Sequence, residues 1–468
     1  MSFEDFTLVK LLANGDKIYQ YKICAKNALG LVICIDNFKL DSDARLWMYD
    51  VNFNNYIGAY SNVNNTADSK FVSSIVERDE IIIEYLEPKD KESFFSISSI
   101  YYFFRGINSK NDFKNSERCM VNAECDEGID FIAERDATCR ITILGPDYGS
   151  FCTGTLINNA LDDESPYILT ANHCSMNSAK NDFKNWEFEF FYRNNGCNST
   201  DIEKEKITYK GCTYIASSGE DYGYYSSDFL LLKLNQSLLK GKGHVLLGWD
   251  AQESIPKSGV CFHHPMGDEM KVSTFNTTPL ISSFSNLSDS THFETVWVRT
   301  QNGYSVTQGG SSGSGLINEK GLLVGTLTGG ASSCSRPYKA DFFGRMSRHW
   351  DAYNANISQL NLRSWLDPKS KGSKQVNTKK MDLSSNSISS INKEDDVYIN
   401  LHIENECLYI HCEKIEPKIL NIYNNLGIKI NQIDFKNSKT INISNFSKGL
   451  YIMELVSDCK TIVKKFVL

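Results

Sequence analysis

A glycine- and serine-rich run at residues 309–315 (GGSSGSG) constrains this chain more than any other stretch. It lies between two β-rich runs, Val296 to Val306 and Gly321 to Leu327. A backbone with so little bulk can turn tightly and lets a carbonyl group approach its N–H groups. A serine in such a loop can act as a nucleophile, with the amides of Gly310 and Ser312 directed at the oxyanion that it creates. Taken alone, the run is also typical of a linker or a turn.

Two other stretches favour the nucleophile. Residues 167–174 (YILTANHC) form an apolar run that ends at His173, and residues 226–234 (SSDFLLLKL) place Asp228 at the head of another apolar run. A serine hydroxyl needs a nearby base, and that base needs a carboxylate that fixes its tautomer and stabilises the imidazolium. The chain order His, Asp, Ser is that of the chymotrypsin-type enzymes.

Length and composition bound the class of protein. A chain of 468 residues predicts about three domains. An apolar content of 41% and a charged content of 23% are typical of a soluble globular protein. The net charge of -8 argues against a nucleic-acid partner. No apolar run approaches the roughly 20 residues that are needed to cross a bilayer.

The cysteine count points to an oxidising compartment. Fourteen cysteines are expected to pair outside the cytosol, and the absence of any Cys-x-x-Cys makes zinc the weaker interpretation. The first six residues (MSFEDF) contain neither a basic segment nor an apolar segment, so no signal peptide is visible. We therefore expect a secreted protein whose N-terminus is truncated in this sequence.

Composition divides the chain into four parts. Residues 1–115 predict a β-sandwich in which Cys24 and Cys34 either form a bridge or remain two buried thiols. Residues 116–368 contain the three stretches described above. Residues 369–395 have the lysine-, serine- and asparagine-rich composition of a linker. Alternating strands return over residues 396–468 and predict a second, small β-sandwich.

The middle part resembles the bacterial lysyl endopeptidases of the trypsin-like clan. The motifs that carry the resemblance are, in chain order, CTGTLINN (152–159), TANHC (170–174), SDF (227–229), HHP (263–265), GSSGS (310–314), GGASSCS (329–335) and WLDP (365–368). The resemblance implies an all-β, chymotrypsin-like double β-barrel of two packed six-stranded barrels, with the active site between them.

Site residues follow from the positions within these motifs. The resemblance implies that His173 is the general base, Asp228 its orienting carboxylate and Ser312 the nucleophile, with Ser311 as the rival nucleophile. It places the oxyanion hole at the amides of Gly310 and Ser312. The aspartate that pairs with a substrate cation in this family precedes Gly-Arg, which matches Asp341 in DFFGR; the alternative is a surface aspartate.

The chain departs from the family at three positions. The histidine and tryptophan that stack beside the family's pocket correspond here to Thr328 and Phe284, so cleavage after arginine as well as lysine becomes plausible. The proline that follows the active-serine loop is Gly315 here, which we expect to loosen the loop without removing a catalytic group.

The resemblance also implies the disulfides Cys152–Cys174, Cys119–Cys334 and Cys125–Cys197. It leaves any pairing of Cys139, Cys212 and Cys261 open. Because adjacent strand residues point to opposite faces, His263 and His264 are expected to be structural rather than to share a metal ion.

Both flanking domains resemble secretion-related modules. The N-terminal domain resembles the propeptide of such proteases, and we expect self-cleavage after Lys114, in a segment that also contains Lys110. The C-terminal domain resembles the sorting domain of the type IX secretion system, on the residues LNIY (420–423), LG (426–427) and GLY (449–451). The alternative is a generic β-sandwich that binds a ligand such as carbohydrate.

Together these features predict a secreted or cell-surface serine endopeptidase, made as a zymogen, that cleaves after lysine or after both lysine and arginine. The expected partners are protein or peptide substrates and the secretion machinery, with no cofactor, no metal and a monomeric state. Two rival hypotheses are a catalytically inactive, protease-like binding or adhesion protein and a protease of another specificity.

Overall fold

The structure is a computed structural model of the chain. It describes residues 5–28, 30–52, 56–76, 78–91, 93–103, 116–145, 149–176, 178–179, 182–199, 206–219, 227–284, 290–351, 357–381, 398–404, 407–413, 419–424, 429–436, 438–443, 446, 450–456 and 461–467. Two compact units, residues 1–384 and residues 385–468, make up the chain.

The N-terminal region consists of two antiparallel sheets that share one core. Its strands are β1 (Thr7–Leu11), β2 (Lys17–Cys24), β3 (Gly30–Lys39), β4 (Arg45–Tyr49), β5 (Tyr56–Tyr60), β6 (Phe71–Val72), β7 (Glu80–Glu87) and β8 (Phe94–Phe103), with a 3-10 helix at Asn62–Asn64. The strand orders are β1-β2-β7-β4-β5 and β6-β3-β8. Apolar residues of both sheets, such as Ile33 and Ile83, are fully buried in the shared core.

The middle region is also built mainly of strands. They are β9 (Val121–Asn122), β10 (Thr138–Leu144), β11 (Gly149–Ile157), β12 (Tyr167–Ala171), β13 (Glu187–Phe190), β14 (Ile207–Lys210), β15 (Cys212–Ser217), β16 (Phe229–Leu234), β17 (Val245–Leu246), β18 (Trp249–Asp250), β19 (Gly259–His263), β20 (Lys271–Phe275), β21 (Leu280–Ser282), β22 (His292–Thr295), β23 (Gly315–Asn318), β24 (Leu323–Gly330), β25 (Asp341–Arg345), β26 (Gln375–Val376) and β27 (Lys379–Lys380). The helices are α1 (Ile132–Ala137), α2 (Met346–Asp351) and α3 (Arg363–Leu366), with 3-10 turns at Asp126–Phe131, Asn172–Ser175, Asp182–Asn185, Pro265–Gly267 and Ser358–Leu360.

Two large sheets organise these strands. One has the order β14-β13-β10-β11-β12-β16-β15, and the other runs β21-β22-β25-β24-β23-β19-β20-β9, with β18 attached to β24 and β26 attached to β18. Strand β16 is apolar from Phe229 to Leu232, and the structure shows why. Phe229 and Leu231 belong to the core that also contains residues of the second sheet, whereas Leu230 and Leu232 face the core of the first sheet. Because successive strand residues point to opposite faces, a strand that is buried on both faces needs an unbroken apolar run.

The N-terminal sheets contact the first large sheet of the middle region. Lys210 donates from Nζ to the carbonyl oxygen of Val72 at 2.6 Å, and Lys184 pairs with Asp68. The rings of Phe103 and Phe151 lie 6.0 Å apart. These contacts involve β6, β8, β11 and β14 together with the turn at Lys184.

The stretch 369–395, expected to be a linker, begins as part of the middle region. Val376 pairs with Trp249, and β27 pairs with β17. Asn158 donates to the carbonyl oxygen of Asn377 at 3.0 Å, and Met381 is buried. A linker composition did not prevent pairing here, because backbone hydrogen bonds to an open sheet edge need no apolar side chains. The rest of that stretch lies outside the described residues.

The C-terminal unit contains two small antiparallel sheets. Its strands are β28 (Tyr398–Glu404), β29 (Cys407–Glu413), β30 (Ile419–Asn424), β31 (Lys429–Asp434), β32 (Ser438–Asn442), β33 (Leu450–Val456) and β34 (Thr461–Val467). The orders are β28-β29-β32 and β31-β30-β33-β34. Leu408 of one sheet and Leu420 of the other are buried in one core.

Two expectations from the sequence differ from the structure. The run from Val296 to Val306, all of it described, contains no strand; the strand lies just before it, at β22, and the run is irregular although Val306 is buried. Cys24 and Cys34 are not bridged, and only Cys34 of the two is buried. Within the described ranges, no helix is long and apolar enough to cross a membrane.

Buried histidines predict acid sensitivity. Burial lowers the pKa of His244 to about 4, well below the ordinary value near 6.5. The unfolded chain therefore binds the proton at a higher pH than the folded chain, so this residue's contribution to stability is complete above about pH 6.5 and is lost as the pH falls towards 4. We expect the urea midpoint to fall over this window.

The variant His244→Phe tests the assignment, since the site is lined by the rings of Phe190, Phe191 and Tyr209. We expect the dependence of the free energy of unfolding on pH to decrease by up to about 1.4 kcal/mol per pH unit, the value for one proton. An unchanged slope in the variant would show that His244 is not one of the titrating groups.

Candidate active site

Strand pairing brings His173 and Asp228 together. Strands β12 and β16 are antiparallel with Ala171 opposite Phe229, so the end of one strand lies beside the start of the other. His173 follows β12 in a 3-10 turn, and Asp228 immediately precedes β16. The carboxylate of Asp228 is 2.7 Å from His173 Nδ1 and accepts the His173 backbone N–H at 2.9 Å. Both positions of the histidine, ring and backbone, are therefore fixed by one side chain.

The protonation of His173 depends on this pair. Burial alone would lower the pKa of the ring, but the charge and hydrogen bond of Asp228 outweigh it and raise the pKa above its ordinary value. The histidine is thus a stronger base than an exposed imidazole, and its Nδ1 is committed to Asp228. The remaining ring nitrogen, Nε2, is the atom that can accept a proton from a nucleophile.

The loop 309–315 is held against the strand that precedes the histidine strand. Thr153 on β11 donates from its backbone N–H to the carbonyl oxygen of Ser312 at 2.8 Å and from its hydroxyl to that of Gly310 at 2.9 Å. A Cβ atom on Gly313, whose φ is +81°, would lie 2.0 Å from the hydroxyl oxygen of Thr170. The glycine is required by both its backbone angle and this contact.

The structure separates the two candidate serines. Ser311 is fully buried, and its hydroxyl lies 2.8 Å from His263 Nδ1 and accepts the N–H of Gln308 at 3.2 Å. Ser312 is only partly buried. Its carbonyl oxygen lies 3.9 Å from the sulfur of Cys174, the residue after His173. Ser311 is therefore committed to the core, and Ser312 is the serine on the histidine side.

Three amides in the loop differ from their neighbours. The N–H groups of Ser311, Gly313 and Ser314 donate to backbone carbonyls. For the described part of the chain, those of Gly309, Gly310 and Ser312 make no such bond. Gly310 has a φ of +89°, and a Cβ atom there would lie 2.7 Å from the carbonyl oxygen of His264. The donors of Gly310 and Ser312 are the pair that the sequence assigns to an oxyanion hole, and an oxyanion is stabilised by preorganised amides of this kind.

Three disulfides are present among the described residues, and they are the three pairs implied by the resemblance. They join Cys152 to Cys174, Cys119 to Cys334, and Cys125 to Cys197. The first ties β11 to the turn that contains His173. Cys139, Cys212 and Cys261 are buried free thiols. The side chains of Cys407, Cys412 and Cys459 lie outside the described residues.

Asp341 is a buried carboxylate held by neutral donors. It is 1% exposed, which excludes the surface-aspartate alternative. Its Oδ2 accepts hydrogen bonds from Trp297 Nε1, Thr307 Oγ1 and Ser332 Oγ at 2.6, 2.7 and 2.6 Å. Its Oδ1 accepts the backbone N–H of Ser332 at 3.2 Å. Among the described residues no ion pair involves Asp341, so Oδ1 retains the capacity to accept a further donor.

A histidine lies beside Thr328 and Phe284, two of the three positions at which the chain differs from the lysyl endopeptidases. His292 Nε2 is 3.0 Å from the hydroxyl of Thr328, and its ring centroid is 5.9 Å from that of Phe284. Phe284 is 45% exposed, so its ring is available to a ligand. Burial lowers the pKa of His292 to about 4, which keeps the ring neutral.

His263 and His264 contact different groups. His263 lies between the hydroxyls of Ser311 and Ser273, at 2.8 and 3.0 Å. His264 Nδ1 is 2.9 Å from the carbonyl oxygen of Asp268. Where the structure describes the chain, no three His, Cys, Asp or Glu side chains are arranged to hold a metal ion.

Sequence reasoning missed the residues that support the site. Trp297, Thr307 and Ser332 hold Asp341, and His292 lies beside Thr328. All four come from segments that are distant in the sequence and meet only in the folded chain, so no sequence motif relates them. The one available signal was that Trp297 and Thr307 precede the serine loop.

Two family models match parts of this chain. Residues 113–344 match the family model of the lysyl endopeptidase C-terminal domain, and residues 393–468 match that of a secretion system C-terminal sorting domain. The sorting domain indicates a secreted or cell-surface protein.

One curated relative is the lysyl endopeptidase of Pseudomonas aeruginosa, which is 28% identical over 302 residues. The match covers 59% of this chain and 62% of the relative. Among solved structures, a thermostable serine protease from an extremophilic microorganism has 13% identity and a TM-score of 0.29, covering 46% of this chain and 93% of that one. An HtrA-type protease with a tripeptide has 14% identity and a TM-score of 0.31, covering 47% and 60%.

The contact of Gly313 predicts a sharp substitution effect. In Gly313→Ala the new methyl group collides with Thr170, and the backbone angle is one that L residues rarely adopt. We expect the free energy of unfolding to fall by about 2–4 kcal/mol in urea titrations.

Gly309→Ala is the matched control, because a Cβ atom at Gly309 would come no closer than 3.8 Å to Met266. We expect this variant to remain within about 1 kcal/mol of the parent protein. Equal losses in the two variants would contradict the described fit of the loop.

Proposed function

We propose that this protein, which carries a lysyl endopeptidase C-terminal domain at residues 113–344 and a secretion sorting domain at residues 393–468, is a secreted serine endopeptidase that cuts peptide bonds after lysine. The observation that carries the proposal is the His173–Asp228 pair, with its 2.7 Å contact, next to a loop that contains Ser312 and the amides of Gly310 and Ser312. The chain covers only 62% of its curated relative, so the relative's activity does not carry over directly. The activity and the substrate are therefore proposed from the geometry of this chain.

The proposed mechanism is acyl transfer. Ser312 Oγ attacks the scissile carbonyl carbon as His173 Nε2 takes its proton, and Asp228 stabilises the imidazolium. The N–H groups of Gly310 and Ser312 bind the oxyanion. His173 then returns the proton to the leaving amine, and water repeats the sequence to release the acid from Ser312. Since attack requires neutral His173, the rate rises with pH through the raised pKa of that residue.

Within this proposal the two large sheets of the middle region are the two β-barrels of the chymotrypsin-like architecture. The paired sheets formed by β1 to β8 and those formed by β28 to β34 are the predicted N-terminal and C-terminal sandwiches. Ser312 belongs to a loop before β23 in one large sheet, whereas His173 follows β12 and Asp228 precedes β16 in the other. The site therefore lies where the two sheets meet.

Asp341 is the proposed specificity residue. A buried carboxylate held by four neutral donors, with no ion pair among the described residues, is complementary to a buried ammonium group, which is costly to bury unpaired. The guanidinium group of arginine could pair with the same carboxylate. The proposal therefore does not fix the rate of cleavage after arginine, which must be measured.

We also propose that residues 1–115 are a propeptide. The contacts described for this region lie on β11, β14, the turn at Lys184 and the end of β10, where Tyr101 donates to the carbonyl oxygen of Gly145; all are outside the His173, Asp228 and Ser312 segments. Lys110 and the expected cleavage site after Lys114 both lie within residues 104–115, which are outside the described residues. The sorting domain is the proposed contact with the secretion machinery, and the monomeric state stays a prediction.

The two serines give the most discriminating test of the mechanism. We expect Ser312→Ala to lower kcat/KM for a lysyl peptide by about 10⁴-fold or more, because the nucleophile is lost. Ser311→Ala should retain activity within about tenfold and lose about 1–3 kcal/mol of stability, since it removes the hydroxyl partner of His263 Nδ1 and leaves only Ser273 bound to that ring. Loss of hydrolysis in Ser311→Ala alone would overturn the assignment, and hydrolysis unaffected by either change would favour the binding-protein hypothesis.

Asp341→Asn tests the specificity. We expect kcat/KM for a lysyl peptide to fall by about 10²–10³-fold, because the substrate cation is left without its partner, while a matched methionyl peptide changes little. Ser332→Ala is the control, since it retains the carboxylate and should leave the lysine-to-methionine ratio within about threefold of the parent. A parallel loss for both peptides in Asp341→Asn would mean that Asp341 supports the fold rather than the specificity.

A further inference from the structure

The corner that presents Asp228 has an unfavourable backbone angle. Asp228 has a φ of +61°, in the left-handed region that residues other than glycine seldom occupy. Such a residue keeps its angle only if its surroundings hold it there. Ser227, the residue before it, is fully buried. The question is therefore which group fixes this corner.

His349 contacts the corner directly. This residue of α2 is fully buried, and its Nδ1 lies 2.6 Å from the hydroxyl oxygen of Ser227. Its Nε2 lies 3.0 Å from the hydroxyl of Thr326 on β24. Its ring centroid is 5.2 Å from that of Phe229, the residue after Asp228. His349 thus contacts the residues on both sides of Asp228 and joins them to the other large sheet.

The backbone around this histidine leaves little room for movement. Helix α2 follows β25 without a break, and β25 contains Gly344. A Cβ atom on Gly344 would lie 1.8 Å from the carbonyl oxygen of Ser227 and 2.8 Å from the His349 ring. The corner is therefore packed directly on the backbone of β25, and the hydrogen bond to His349 sets how it is rotated there.

We propose that His349 is a positioning residue for the triad, which fixes the Ser227–Asp228 corner through its Nδ1 so that the Asp228 carboxylate keeps both of its bonds to His173. The inference rests on the proposed function for its consequence in catalysis. A carboxylate that drifts from His173 no longer holds the ring in the tautomer and orientation that proton transfer requires.

The two ring nitrogens allow the proposal to be tested by size-matched variants. In His349→Asn the amide replaces the Nδ1 edge and retains a partner for Ser227, whereas in His349→Gln the longer side chain replaces the Nε2 edge and retains a partner for Thr326. We expect His349→Gln to lower kcat by about tenfold with KM for a lysyl peptide unchanged. We expect His349→Asn to retain at least about half of the parent kcat.

Hydroxyl variants provide the second half of the cycle. Ser227→Ala should match His349→Gln, and the double variant should be no worse than either single change, because both remove the same bond. Thr326→Val should remain within about twofold of the parent kcat. If Thr326→Val lost as much activity as Ser227→Ala, or if kcat followed the melting temperature across all four variants, His349 would be a packing residue and the proposal would be overturned.

A readout without turnover separates this inference from the proposed function. In a Ser312→Ala background, the pKa of His173 is measured from its imidazole NMR signals. Weaker contact with Asp228 should lower that pKa in His349→Gln and leave it unchanged in His349→Asn. This result would support the positioning role even if the parent protein hydrolysed no peptide. An identical His173 pKa in both variants would overturn it even if the parent protein were an active protease.

Discussion

The antiparallel pairing of β12 with β16 is the interaction on which the site depends. It sets Ala171 opposite Phe229. His173, two residues after Ala171, therefore lies within hydrogen-bond distance of Asp228, the residue before Phe229. Both strands are buried on two faces, which fixes their register because a slip by one residue would exchange the two cores. The serine loop is then held to the same sheet by Thr153, whose N–H and hydroxyl bind two of its carbonyls. The packing of the core and the geometry of the candidate site therefore depend on the same strand pairing.

Much of the fold could be predicted from local patterns. Strands β12 (Tyr167–Ala171) and β16 (Phe229–Leu234) lie within the apolar runs that indicated them. The run from Val296 to Val306 did not form a strand, although its composition is typical of one. Trp297 and Val306 are buried against the second large sheet without a ladder of their own. Residues 369–381 show the reverse error: their polar composition concealed short strands whose partners lie more than a hundred residues away.

The candidate site shows the same division between local and distant information. Motif position was enough to predict that His173 contacts Asp228 and that Asp341 is not a surface residue. The support of these residues could not be predicted, because it comes from distant parts of the chain. Trp297 reaches Asp341 through the pairing of β22 with β25, and His349 reaches Ser227 through the packing of one large sheet on the other. The choice between Ser311 and Ser312 likewise depends on burial, which a run of two serines cannot reveal.

The central claim is that Ser312 is the nucleophile activated by His173. The most direct measurement is to treat the processed middle region with a fluorophosphonate probe at several pH values and to locate the adduct by peptide mass spectrometry. We expect a single adduct on Ser312 that forms more slowly as the pH falls through the raised pKa of His173. In His173→Ala we expect no adduct. An adduct on Ser311, or labelling that is unaffected by the loss of His173, would contradict it.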